Sequence, residues 1–80
     1  MQIELAREIA KAAFASTRSL GDLILTLKSA LPEAEYRPYA KAIAHCIAQT
    51  QIEVLNRVTA EHPALEDEIE AAIKQAGRYG

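Results

Sequence analysis

Tyr39 to Glu61 reads YAKAIAHCIAQTQIEVLNRVTAE, a run of helix formers with neither glycine nor proline. At 100° per residue its apolar side chains spread over roughly 240° of a helix surface, too wide for a single contact face. Ala40, Ile43, Ile47, Val54 and Val58 lie at the centre of that arc. Tyr39 and Cys46 form one margin, and Ala44, Ala48, Ile52 and Leu55 the other. Lys41, His45, Gln49, Glu53, Asn56 and Arg57 fill the narrow polar remainder. A helix of this kind needs cover on two sides, and a chain of 80 residues has few elements to supply it. The arc therefore predicts that part of this surface meets a second copy of the chain or another protein.

Sparse punctuation frames the rest. Glycine occurs only at 21, 77 and 80, and proline only at 32, 38 and 63. Upstream, the apolar positions Leu5, Ile9, Ala12, Ser16, Leu20, Leu23, Leu27 and Ala30 follow one another mostly in alternating steps of four and three. They predict a helix over residues 2 to 31 that runs through Gly21 at a cost of roughly 1 kcal/mol relative to alanine. The competing reading breaks this segment near Arg18, with Ser19 capping a second helix. Pro32 and Pro38 bracket the main turn, because each restrains the residue before it toward extended geometry. A second helix over residues 38 to 61, about 36 Å long at 1.5 Å per residue, would return alongside the first. Pro63 then opens a short last helix carrying Leu65, Ile69, Ala72, Ile73 and Ala76, with Gly77 as its cap. The expected fold is one all-α domain: a long antiparallel helical hairpin plus a short C-terminal helix, completed as a bundle by dimerisation.

Composition agrees with helices that associate. Sixteen alanines stand against eight leucines and eight isoleucines, which favours helix but gives each contact little apolar area. The formal charge of −2 is too small to imply a polyanionic partner. A single cysteine excludes an intrachain disulfide and a cysteine-based metal site. Charges at Glu4, Arg7 and Glu8 interrupt any leader-like apolar run, and no uncharged segment approaches the roughly 20 residues of a membrane span. The expectation is a cytoplasmic protein.

No catalytic signature emerges. Cys46 and His45 are adjacent on a helix and point about 100° apart, so they cannot share a proton as a nucleophile and its base must. At the margin of the apolar arc, Cys46 reads as a buried structural thiol. His62 has Val58 and Thr59 at the preceding helical positions, so no metal ligand pairs with it, and no cofactor is expected. Arg7, Lys11 and Arg18 share a stripe of the first helix with Phe14 nearby, the minimum pattern for phosphate contact, although Glu4 and Glu8 lie beside it. Glu66, Asp67, Glu68 and Glu70 sit where a helix N-terminus favours negative charge, yet four carboxylates also suit docking of a basic partner. Leu25 points away from the Leu23 and Leu27 stripe and is expected to be exposed.

The reading is a small non-enzymatic interaction or regulatory protein acting as a homodimer, antitoxin-like or immunity-like in one variant. Its expected interface comprises Ile43, Ile47, Ile52, Leu55 and Leu25. The alternative from another class is a helical nucleic-acid-binding regulator using Arg7, Lys11 and Arg18.

Overall fold

The computed structural model describes residues 1–79, and every regular element among them is helical. Helix α1 runs from Ile3 to Ala30 without a break. Gly21 lies inside it with open space where a Cβ would sit, so neither a close approach nor an unusual backbone angle demands glycine there. Leu31 and Pro32, both extended, make the whole turn. Helix α2 then covers Glu33–Gln49.

That turn is shorter than the proline spacing predicts, and the second helix starts five residues earlier. Pro32 serves as its cap, and Glu33 and Glu35 supply negative charge to the first turn. Arg37 pairs back to Glu33 one turn earlier. Arg37 is therefore helical despite preceding Pro38, against the usual bias toward extended geometry. Pro38 lacks an N–H and leaves the Ala34 carbonyl without its helical partner. Both residues are exposed, so water can take that bond and the interruption is tolerated.

From Thr50 to Leu55 the chain forms a wider π-helical segment, and the Asn56 N–H donates to the Gln51 carbonyl five residues back. Helix α3, Asn56–Glu61, continues beyond it. The wide turn changes which side faces inward. Before it, Tyr36, Ala40, Ile43 and Ile47 are half-buried along the seam with α1; after it, Leu55 and Val58 are buried. A continuous α-helix would have kept Val54 and Val58 on the seam and brought Glu61 beside them, whereas the extra residue rotates the register by about one 100° step, turning Leu55 inward and leaving Glu61 exposed. Much of the 240° arc is thus two narrower arcs on either side of a phase change.

His62 ends α3, and Pro63 leads directly into α4, Ala64–Ala76. Gly77 closes α4 in the left-handed conformation at φ 75°, with its N–H on the Ile73 carbonyl at 2.8 Å. Helix α4 is less than half the length of α1, and it covers only the base of the hairpin. The buried core follows from this: Ala6, Ala10 and Ala13 of α1 meet Leu55, Val58, Leu65, Ile69 and Tyr79. No residue of α2 is buried. Beyond the base, α1 and α2 project as a two-helix arm, and the molecule measures 45 × 25 × 15 Å.

The core-facing row of α1 also differs from the apolar stripe read in the sequence. Ala6, Ala10 and Ala13 carry the contact, while Leu5 and Leu23 of the predicted stripe are 50% and 43% exposed. Small side chains let the π-helical segment and α3 approach α1 closely, so the alanine row is the one buried, and the row with larger side chains lies to one side of it.

Candidate functional site

Two groups of residues that the sequence sets apart meet in one contact. Arg7 Nε donates to both carboxylate oxygens of Glu68 at 3.1 Å, and Arg7 Nη2 lies 3.0 Å from Oε1. The Tyr79 hydroxyl donates to Glu68 Oε2 at 2.8 Å. The Tyr79 ring packs edge-on against Phe14 with centroids 5.8 Å apart, and Lys11 Nζ sits 5.9 Å from the Tyr79 centroid. The basic stripe of α1 and the acidic run of α4 are therefore, in part, two sides of a latch holding α4 to the hairpin base.

The electrostatics follow from that geometry. The Arg7 guanidinium and the Tyr79 hydroxyl both stabilise the ionised Glu68, holding its carboxyl below the usual glutamate value. The same partner raises the pKa of Arg7. Burial, then the hydrogen bond to Glu68, pushes the Tyr79 phenol up to about 12. Arg7 is thus committed within the chain, and of the proposed phosphate contacts only Lys11 and Arg18 lack a carboxylate partner among the described residues. Glu68 is likewise spent; Glu66, Asp67 and Glu70 remain exposed.

The expected interface residues separate. Leu25 and Ile52 are exposed, at 64% and 55%. Ile43 and Ile47 are half-buried against α1. Leu55 is 8% exposed inside the intrachain core and has almost no surface left for a partner, because the π-helical segment turns it inward. Cys46 is exposed, so the buried thiol expected from the wheel is corrected: where α2 forms the arm, only α1 lies against it, and the Cys46 margin is uncovered. No group of His, Cys, Asp and Glu suited to a metal occurs among the described residues. His62 Nε2 instead lies 3.0 Å from the Met1 carbonyl oxygen.

One concavity stands at the step where α4 ends and the bare arm begins. Phe14, Ile47, Ile73 and Tyr79 wall a partly open notch of about 320 Å³, with Thr17, Arg18 and Arg78 along it. Gly77 makes it, since the left-handed turn folds Arg78 and Tyr79 back beside the helix. Tyr79 stands outside every periodic pattern of the sequence. The glycine two residues before it was the available signal that the tail returns to the body.

Among the described residues no helix is long and apolar enough to cross a membrane. Comparison with protein-family models, with curated proteins and with solved structures finds no match to this chain. What can be assigned is the class of architecture, an all-α hairpin with a short helix latched across its base.

Proposed function

We propose that this is a non-enzymatic helical interaction protein that works as a homodimer, and that the outer stripe of α1 forms its interface. The observation that carries the reading is exposed area. A compact folded chain of 8.7 kDa exposes roughly 4,700 Å², whereas this one exposes 5638 Å². The excess of roughly 900 Å² matches the roughly 800 Å² that each partner contributes to a standard protein interface.

The stripe supports the location. Leu5, Ile9, Ala12, Ser16, Leu20, Leu23, Leu27 and Ala30 lie on the side of α1 opposite Arg7 and Phe14, which face the latched α4; Leu5, Ala12, Ser16, Leu23 and Ala30 are exposed, Leu20 and Leu27 half-buried, and Ile9 half-buried beside the core. Large side chains occupy both ends of the stripe, and small ones its middle. Two copies packed antiparallel about a two-fold axis at Ser16 would set Leu5 against the partner's Leu27, Ile9 against the partner's Leu23, and Ala12 against the partner's Leu20. Small residues then face large ones near the crossing, as close helix packing requires. Tyr39, exposed on the neighbouring helix, extends the apolar surface.

No observation favours the nucleic-acid alternative, since Arg7 is already paired. The three free carboxylates of the acidic run sit at a helix start that solvent serves equally well. Light scattering after size exclusion, at tens of micromolar, tests the main reading. The native protein should run as a dimer and Leu23→Glu as a helical monomer. In a Cys46→Ser background, Ser16→Cys should form an intersubunit disulfide on mild oxidation. A native monomer would end the proposal, and a dimer that survives Leu23→Glu without the Ser16 cross-link would move the interface elsewhere.

A further inference from the structure

The geometry points to a small-ligand site in the notch between the arm and the end of α4, fitted to a medium-chain fatty carboxylate. Its walls are apolar and aromatic: Phe14, Ile73 and Tyr79 surround a volume of about 320 Å³, at the lower end of the range in which small molecules bind. Two guanidinium side chains, Arg18 and Arg78, stand along it, and no described residue lining it carries negative charge. The nearest acid of the latch, Glu68, is already paired with Arg7. Neither Arg18 nor Arg78 has a carboxylate partner among the described residues.

An occupant must satisfy both parts. A simple inorganic anion would leave the apolar walls wet, and a neutral hydrocarbon would leave two cations without a counter-charge. A flexible alkyl chain ending in a carboxylate buries its tail against Phe14, Ile73 and Tyr79 and offers planar acceptor oxygens to the guanidinium forks. Thr17 adds a hydroxyl at the same wall. The notch lies on the α4 side of α1, opposite the stripe assigned above to the homodimer, so the two assignments stand or fall separately.

Octanoate is the ligand to use, with octanol and octylammonium as controls of equal carbon number. In amide-resolved NMR titrations of the full chain, octanoate should saturate in the millimolar range or below and shift Thr17, Arg18, Gly77 and Arg78 together. Octanol should bind roughly tenfold more weakly, the loss expected for removing a charged pair, and octylammonium should not bind. The double variant Arg18→Gln with Arg78→Gln should bring octanoate down to the level of octanol, with the thermal unfolding midpoint confirming that the variant is folded. Equal binding of octanoate and octanol would overturn the proposal. So would octanoate shifts centred on Leu5 to Leu27 of the outer stripe, or no shifts at millimolar ligand.

Discussion

Tyr79 shows how one side chain can fix the placement of a whole helix. Its hydroxyl gives Glu68 a second donor beside Arg7, and its ring closes the core against Phe14. Both ionisations in this contact make stability depend on pH, with opposite signs. Because the Glu68 pKa is lowered on folding, its contribution is complete above the ordinary glutamate value near 4.3 and is lost as pH falls below it. Because the Tyr79 pKa is raised from 10.0 to about 12, its contribution is complete below 10.0 and is lost as pH rises toward about 12. Replacing Tyr79 with Phe keeps the ring and removes only the hydroxyl, at a cost of about 1 kcal/mol near neutral pH. Thermal melts across pH should show a weaker alkaline decline in Tyr79→Phe than in the native chain, while the acid decline persists through Arg7 and Glu68. An identical alkaline limb in both proteins would mean that the phenol takes no part in holding α4.

At the scale of elements, the π-helical segment Thr50–Leu55 decides the inward register of the second strand of the hairpin. It behaves as one inserted residue, which rotates Leu55 into the core while Val58 stays buried. Deleting exposed Gln51 should therefore restore a continuous α-helix while keeping both core residues inward. The expected outcome is a cooperative thermal transition with a midpoint equal to or above the native one, read by circular dichroism; a molten, non-cooperative melt would show that the wide turn is required. The all-α class, the Pro63 start of the last helix and its Gly77 cap are legible from spacing and punctuation, whereas the continuity of α1 through Gly21 stands against an equally patterned break near Arg18. The wide turn is not legible, because a helical wheel assumes a constant 100° and converts a phase change into a broader apolar arc. Part of the apolar arc that suggests an interface on residues 38 to 61 is therefore this phase change. The same constant angle also puts Leu55 at the interface, whereas Cys46 is exposed for the separate reason that α2 has only α1 against it in the arm. The latch was legible only as two separate charge patterns, Arg7 with Lys11 and Glu66 to Glu70, since a contact between residues 61 apart leaves no periodic trace.

The whole molecule is too extended for its mass. Its radius of gyration is 14.7 Å against about 11.6 Å for a compact domain of this length. Eight buried side chains, three of them alanine, form the described core, and all of them lie at the base. An arm held by one seam of half-buried side chains buries too little to offset much chain entropy, so its stability should rest on association. If the outer stripe of α1 is covered by a second copy, unfolding and dissociation are linked, and the apparent stability must rise with protein concentration. Each tenfold increase adds about 1.4 kcal/mol per mole of dimer, enough to move the unfolding midpoint of so small a protein by several degrees. Melts from low micromolar to high micromolar protein measure this directly. Leu23→Glu should abolish the dependence and lower the midpoint, since the charge sits on the proposed interface and not in the core. A midpoint independent of concentration over that range would show that the base alone holds the fold and that the arm is stable without a partner.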